Sequence, residues 1–221
     1  AIHIDCMHND SMAPSNQENT VYDDTICNNV TVDGCTFVDV PRGIGTHIAV
    51  GGLYPSNMKF TNNTFKNITY EAIKAYHYKN VIITGNTIDK AGCGIKSYLY
   101  AEPSDNDNDE EGNSNYLSAL KNTATEGVPY NANVLISQNT VRNITDSKEG
   151  FGIHIAGNAS RPIQGVTVTN NTVSATKLAG IYAKYANRIT ISDNTVANSG
   201  ECNILLTSAG QSVVQKNQLS A

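Results

Sequence analysis

Apolar and polar residues recur along this chain in one short pattern. The pattern is an apolar residue, any residue, an apolar residue, two polar residues, Asn, Thr and a further apolar residue, as at 81–88 and 134–141. The asparagine position falls at residues 35, 63, 86, 139, 171, 194 and 217, with Cys35 in place of the first asparagine, so the shortest repeat is 23 residues. Because the apolar residues alternate with a period of two, each copy predicts a β-strand that ends in a turn.

A second short strand follows each asparagine turn and usually begins with Gly or Ala followed by Ile. Its copies begin at Gly43, Ala72, Gly94, Gly152 and Gly180. One such repeat is too short to hold a hydrophobic core alone, but stacked repeats bury one continuous core. The turn asparagines can then bond backbone groups of neighbouring coils. The sequence therefore predicts an all-β fold, a right-handed parallel β-helix of about seven coils.

Two other folds fit this pattern less well. A leucine-rich repeat has a similar period but needs recurrent Leu, and a β-sandwich would not keep asparagine at a fixed period. We expect one β-helix domain over residues 1–221, with loop insertions at about 8–25 and 100–130. Because Ile2 and Ile4 already read as part of a formed coil, we also expect a preceding β-helix segment or a second chain to cap it.

The amino-acid composition argues against several classes of protein and partner. Hydrophobic residues make up 39% of the chain and charged residues 16%, which excludes a disordered polyampholyte. No apolar stretch is long enough for a transmembrane helix, so we expect no membrane partner. The net charge of −5 argues against nucleic acid as a ligand. The five cysteines are odd in number and lack paired spacing, which favours small buried residues over disulfides or a zinc site.

The acidic run at 104–112 has the composition of a calcium-binding loop. An EF-hand loop would need Gly in place of Glu110 and Glu in place of Tyr116. Neither residue fits, so a solvated acidic loop is the simpler interpretation. We therefore expect no metal site and no other cofactor.

The second strands direct a regular set of side chains away from the core. Alternation predicts one outward row of His3, Gly45, Lys74, Lys96, His154, Tyr182 and Leu205. The next row is Asp5, His47, Tyr76, Tyr98, Ala156, Lys184 and Thr207, and a third begins Met7, Ala49, Tyr78, Tyr100 and Asn158. Tyr, Lys, His and Asp therefore concentrate on one face, and the two insertions would flank it as the walls of a groove.

Such a face suits a long sugar polymer. Aromatic rings pack on apolar sugar faces, and ammonium groups pair with carboxylates or sulfates. We therefore expect a polysaccharide or oligosaccharide ligand, preferentially an acidic one. The candidate substrate-binding residues are His3, His8, Asp10, Arg42, Lys96, Tyr98, His154, Tyr182 and Lys184. The alternative is that Tyr and Lys ladders only stabilise cross-strand neighbours and keep the face soluble.

One chemistry that fits this face is proton abstraction from a uronic acid, leading to β-elimination or epimerisation. His47 could act as the base, oriented by Asp5 on the neighbouring coil. Lys74 could neutralise the substrate carboxylate, with Arg42 in reserve, and Tyr76 could exchange the second proton.

Two further functions stay open on the sequence. Glycoside hydrolysis needs two carboxyl groups about 5 to 9.5 Å apart. Asp5 could be one of them, with Asp10, Glu71 or a residue before Ala1 as its partner. The pair of Asp5 and His47 could also be a purely structural hydrogen bond. A third function, from a different class, is a non-catalytic glycan-binding or adhesive stalk, of the adhesin or tailspike kind.

The repeat resembles the pectate-lyase-like superfamily of right-handed parallel β-helices over essentially the whole chain. That resemblance implies extracellular or cell-surface proteins such as polysaccharide lyases, epimerases, glycoside hydrolases and phage tailspikes. The Asp-Cys-Met-His stretch at 5–8, followed by Arg42 and His47, is similar to the Asp-Pro-His-Glu stretch and Arg-His pair of alginate epimerases. This chain departs from that pattern because it lacks the proline and separates both pairs by more residues. The leading interpretation is a lyase or epimerase that acts on an acidic polysaccharide.

Overall fold

The computed structural model describes residues 2–4, 27–45, 54–99, 130–159 and 161–221. All the regular elements within these ranges are β-strands, and they pair in parallel. The strands are β1 (Ile2–His3), β2 (Thr31–Asp33), β3 (Thr36–Val38), β4 (Ile44–Gly45), β5 (Ser56–Thr61), β6 (Thr64–Tyr76), β7 (Lys79–Thr84), β8 (Thr87–Tyr98), β9 (Tyr130–Ser137), β10 (Thr140–Ile144), β11 (Ile153–Ala156), β12 (Ile163–Thr169), β13 (Thr172–Thr176), β14 (Ile181–Asn187), β15 (Thr190–Ser192), β16 (Thr195–Ser199), β17 (Ile204–Gly210), β18 (Val213–Gln215) and β19 (Gln218–Ser220). The same ranges contain no helix with the length and apolar character needed to cross a bilayer.

Several residues singled out from the sequence lie outside the described residues. They are Asp5, His8, Asp10 and His47. The predicted insertion at 8–25 and residues 100–129 of the second insertion lie outside them as well.

Each full coil contributes to three faces of a parallel β-helix. In one coil, β5 forms the first face, the start of β6 the second and the end of β6 the third, with a register shift between Ile68 and Glu71 where the chain changes face. The first face stacks β2, β5, β7, β9, β12, β15 and β18, the second runs from β3 to β19, and the third runs from β1 through β4, β11 and β14 to β17. The predicted all-β parallel β-helix is confirmed. The sequence predicted two strands in each coil, and the structure adds a third, which begins directly after the asparagine and forms the second face.

The core is a stack of apolar side chains contributed by equivalent positions of successive coils. On the first face, Phe60, Ile83, Ile136, Val168 and Ile191 follow one another in register and are fully buried. Alternation with a period of two accounts for this column, because every second side chain of a strand points to the same side. Burial of such a column over all coils supplies the hydrophobic stabilisation that one short repeat cannot provide.

The turn asparagines form a ladder parallel to the axis of the β-helix. The side-chain amide nitrogen of each donates to the side-chain oxygen of the next, through Asn63, Asn86, Asn139, Asn171, Asn194 and Asn217 at 2.9 to 3.0 Å. Each side-chain oxygen also accepts the backbone N–H of the preceding rung, as Asn63 does from Cys35. The cysteine therefore ends the side-chain ladder without losing the backbone hydrogen bond.

The residue before each ladder position adopts a left-handed backbone conformation. The residues at this position have positive φ angles of 54° to 68°, and they are Gly34, Asn62, Gly85, Gln138, Asn170, Asp193 and Lys216. Gly and Asn tolerate this conformation most readily, which explains their abundance at the second polar position of the repeat. Two adjacent residues therefore determine the turn that points the ladder side chain inward: the left-handed residue and the asparagine that follows it.

Candidate binding groove

The outward rows predicted on the third face lie in register. Strand pairing aligns Gly45, Lys74, Lys96, His154 and Tyr182 in one row. The second row aligns Tyr76, Tyr98, Ala156, Lys184 and Thr207. The predicted pairing of Asp5 with His47 lies outside the described residues and stays a prediction.

The third predicted row is wrong at Tyr78. This residue belongs to the core, where it is 2% exposed and its hydroxyl donates to the carbonyl of Ile4 at 2.9 Å. The cause lies one residue earlier, because His77 has a φ of 58° and interrupts the strand. A left-handed residue ends the period of two, so the side chain that follows it points inward.

The centre of the two rows is a stack of tyrosine rings bordered by lysines. The rings of Tyr76 and Tyr98 lie parallel with centroids 4.4 Å apart. Lys74 Nζ lies 5.2 Å from the centroid of Tyr76, and Lys96 Nζ lies 4.7 Å from that of Tyr98. These distances are within the range of cation–π attraction, so rings and ammonium groups hold one another in place.

Two of these side chains are far less accessible than an open outward row would make them. Lys74 is 3% exposed and Tyr76 is 4% exposed. Part of that burial comes from the stack itself, since Tyr98 covers Tyr76 and both rings lie beside the Lys74 ammonium. The expected roles of Lys74 in carboxylate neutralisation and of Tyr76 in proton exchange would both require a ligand to reach buried atoms.

A groove of about 610 Å³ opens beside this stack. Its lining consists of Arg42, Tyr70, Glu71, Lys74, Tyr76, Gly92, Cys93, Lys96, Tyr98, Asp146, Ser147, Lys148 and Glu149. It therefore brings together six of the residues chosen from the sequence, which are Arg42, Glu71, Lys74, Tyr76, Lys96 and Tyr98. Four other described candidates lie outside this lining: His3, His154, Tyr182 and Lys184.

Arg42 and Glu71 form an ion pair at one side of the groove. Arg42 Nε donates to Glu71 Oε2 at 3.0 Å, and the guanidinium also lies 5.1 Å from the centroid of Tyr70. Glu71 was a candidate for the second carboxyl group of a glycosidase. In the structure this carboxylate is instead engaged by the Arg42 guanidinium, and its other proposed partner, Asp5, lies outside the described residues.

Glu149 lines the groove and contacts two members of the first row, Lys96 and His154. Its Oε2 atom lies 3.0 Å from Lys96 Nζ and 3.3 Å from His154 Nδ1. Burial alone would raise the pKa of Glu149, but His154 and Lys96 lower it to about 2. The turn that presents Glu149 is fixed by Asp146, whose side chain accepts the backbone N–H groups of Lys148 and Glu149.

His154 is packed between aromatic rings below this turn. Its ring stacks on Tyr182 with centroids 4.9 Å apart and lies 4.7 Å from the ring of Phe151. Burial lowers the pKa of His154, and the contact with Glu149 opposes that change. At neutral pH the ring is therefore uncharged, so His154 is a packing residue of this face rather than a cation for a sugar carboxylate.

Sequence reasoning missed the turn at 146–149, which supplies a wall of the groove. The turn precedes β11 and has no counterpart at the same position of the other described coils, so no periodic signal marks it. The only signal is its composition, because Asp146, Lys148 and Glu149 form a charged group between Ile144 and Phe151.

The described ranges hold no group of three or more His, Cys, Asp or Glu side chains that could bind a metal ion. The four cysteines in these ranges are free thiols, of which Cys93 is buried and Cys35 is exposed. The expectation of buried cysteines is therefore met at Cys93 and fails at the exposed Cys35, while Cys27 and Cys202 are half-buried.

Comparison with known proteins places this architecture among right-handed β-helices. The family model of the right handed β-helix region matches residues 15–175 and 127–221. A curated relative, the plasmin and fibronectin-binding protein A of Streptococcus pneumoniae (strain ATCC BAA-255 / R6), is 26% identical over 190 residues, which is 81% of this chain and 25% of the relative. This chain thus spans about a quarter of the length of that relative.

Two solved structures share the fold. One is the crystal structure of PfbA, a surface adhesin of Streptococcus pneumoniae, with a TM-score of 0.61 and 21% identity over 87% of this chain and 44% of that chain. A second structure of the same surface protein gives a TM-score of 0.60 and 20% identity over 90% of this chain and 48% of that one. The predicted extracellular or cell-surface location agrees with these relatives, which are described as surface proteins.

Proposed function

Because the chain belongs to the right-handed β-helix family, we propose that it is a non-catalytic, ligand-binding domain of a cell-surface adhesin. The observation that carries this proposal is the pairing of charges along the groove. Arg42 is paired with Glu71 and Lys96 with Glu149, so two of the cations in the groove lining already have carboxylate partners. Such a surface presents alternating charges and aromatic rings, which suits recognition more than proton abstraction.

A lyase or epimerase would place different demands on the same residues. It needs a cation that meets the substrate carboxylate and a base beside the reacting carbon. Lys74, the first choice for the cation, is 3% exposed, and Arg42, the reserve, is held by Glu71. These positions support a binding role, and the relatives named above are adhesins.

We propose a host extracellular protein as the ligand. The curated relative is named for binding plasmin and fibronectin, and the groove displays both signs of charge beside exposed parts of aromatic rings. An extended protein segment with mixed charge would find a partner for each of these groups. The polysaccharide predicted from the sequence is the alternative ligand, which the stacked pair of Tyr76 and Tyr98 favours.

Surface plasmon resonance on immobilised fibronectin, plasmin and a panel of uronate polymers tests this proposal. We expect binding to a host protein, weakened about tenfold by Tyr98→Ala and by Lys96→Gln. Lys59→Gln removes the same charge from an exposed position on the first face and should leave binding unchanged. The same polymers, incubated with the protein and assayed for unsaturated products and reducing ends, report on catalysis. Turnover of any polymer would overturn the non-catalytic assignment, and binding to polymers alone would replace the protein ligand by a glycan.

A further inference from the structure

A second group of basic and aromatic side chains lies at the corner where the third face turns into the first. It consists of Tyr54, His77, Lys79, Tyr130 and Arg161, here called the corner cluster. Each member stands at or just before the start of a first-face strand, namely β5, β7, β9 and β12. None of them belongs to the lining of the groove described above. The corner cluster is therefore a separate surface that the proposed function does not use.

Two cations of the corner cluster lie against the same two rings. The rings of Tyr54 and Tyr130 have centroids 5.1 Å apart. Lys79 Nζ lies 4.2 Å from the first centroid and 5.5 Å from the second, and the Arg161 guanidinium carbon lies 5.4 Å from each. Because both cations sit on one pair of rings, their positive fields add at a single point of the surface.

The corner cluster has a buried floor and a more accessible rim. Arg161 is 9% exposed and Tyr130 is 1% exposed, whereas Tyr54 and Lys79 are half-buried. Hydrogen bonds fix the geometry, since Arg161 Nη1 donates to Tyr54 Oη at 2.6 Å and Tyr130 Oη donates to the carbonyl of Tyr78 at 2.8 Å. An incoming group would thus meet preorganised donors rather than flexible surface side chains.

The pKa of the Lys79 ammonium is lowered by burial and, in part, by the positive charge of Arg161. In the described part of the chain, Lys79 contacts rings and a second cation, and no carboxylate is paired with it. A bound anion would offset the repulsion between the two cations and so favour the charged form of Lys79.

We propose that the corner cluster binds an oxyanion group, a sulfate or a carboxylate, carried by an acidic saccharide. The half-buried Lys79 ammonium supplies donors for its oxygens, and the positive charge of Arg161 behind it adds to the attraction. The half-buried ring of Tyr54 at the rim offers apolar contact beside the charge, as a sugar ring with a charged substituent requires. This combination favours a saccharide over a purely acidic peptide such as poly-glutamate, whose side chains carry no ring to pack there.

Isothermal titration calorimetry with a heparin oligosaccharide tests the assignment, with a neutral dextran oligosaccharide as the uncharged control. We expect heparin to bind and dextran not to bind. Inorganic sulfate should compete with heparin, because it shares the oxyanion and lacks the sugar. Lys79→Gln should weaken heparin binding about tenfold, or about 1.4 kcal/mol, and Lys79→Arg should retain it.

Lys59→Gln is the matched control, since Lys59 is an exposed lysine on the same face and outside the corner cluster. Equal losses in Lys79→Gln and Lys59→Gln would show non-specific attraction and overturn the site. Binding of poly-glutamate but not of heparin would overturn the saccharide assignment. The melting temperature of each variant separates lost binding from lost folding. Fibronectin and plasmin binding should be measured on the same variants. Because these proteins are proposed to bind the groove, Lys79→Gln should leave their binding unchanged, so the two proposals are tested separately.

Discussion

Asn86 donates a side-chain hydrogen bond of 2.9 Å to Asn139, although 53 residues separate the two in the sequence. The strands beside them keep the same register, with Val81 opposite Val134. The ladder is therefore continuous across the longest interval between its members. The asparagine turn, rather than a constant number of residues, defines where one coil meets the next.

The ladder should make a large contribution to stability, and Asn171 is the residue to test. Its side chain is 1% exposed and bonds Asn194, the carbonyl of Ile136 and the backbone N–H of Asn139. Asn171→Ala leaves these buried groups without partners, so we expect a loss of about 3 kcal/mol in urea unfolding. Thr172→Ala, on an exposed neighbour, should change stability by less than about 0.5 kcal/mol.

The last rung of the ladder provides an internal comparison. Asn217 is only half-buried, and water can replace part of its hydrogen bonding. Asn217→Ala should therefore cost about 1 kcal/mol, clearly less than the same change at Asn171. Equal losses at the two positions would contradict the view that burial sets the cost of breaking a rung.

The core column makes a second prediction about unfolding. Val168 is fully buried between Ile136 and Ile191. Val168→Asp places an unpaired carboxylate there, so we expect a loss of more than about 3 kcal/mol or no folding at all. Thr167→Asp adds the same charge to the adjacent, half-exposed residue and should fold normally. A folded Val168→Asp variant with an unchanged melting temperature would refute the register of this face.

Acid should weaken the third face through His154. Because burial lowers its pKa, the unfolded chain takes up a proton at higher pH than the folded chain does. Its contribution to stability is therefore complete above pH 6.5 and is lost as the pH falls from 6.5 through the lower pKa of the folded state. An NMR titration should give His154 a midpoint below 6.5. Glu149→Gln should lower that midpoint further, since the carboxylate favours the charged ring; a rise would contradict the assigned contact.

The cysteines should differ sharply in reactivity. Cys35 is exposed, whereas Cys93 is buried and its burial raises the pKa of the thiol. Since the thiolate is the reactive form, iodoacetamide should label Cys35 in the native protein and Cys93 only after unfolding. Mass spectrometry of peptides from the two states measures this directly, and rapid native labelling of Cys93 would show that its coil opens.

The sequence predicted the parts of the structure that repeat. The pairing of Ile73 with Ile95 and of Tyr76 with Tyr98 follows from a period of two applied to aligned repeats. The same period gave the wrong side for Tyr78, because the left-handed residue before it ended the alternation. A single backbone angle of this kind produces no periodic pattern in the sequence.

The charged contacts of the groove were less predictable than its rows. Glu149 meets Lys96 across 53 residues of sequence, from a turn that occurs in one coil. Burial of Lys74 was also unpredictable, since it depends on how neighbouring rings stack rather than on the side to which the residue points. The repeats therefore predict the strands and their register. The turns that do not repeat determine which groups surround each candidate residue.

The parallel stacking of coils has a mechanical consequence for a protein held at a surface. The hydrogen bonds between coils run along the axis, so a pull along that axis loads the interfaces between coils in series. Whichever coil terminates such a stack should peel away first, because a terminal coil has one neighbour instead of two. Loss of a coil with the 23-residue spacing of Asn171 and Asn194 releases about 80 Å of extended chain. The 32-residue interval between Asn139 and Asn171 would release about 110 Å, so extension proceeds in unequal steps that absorb work one coil at a time.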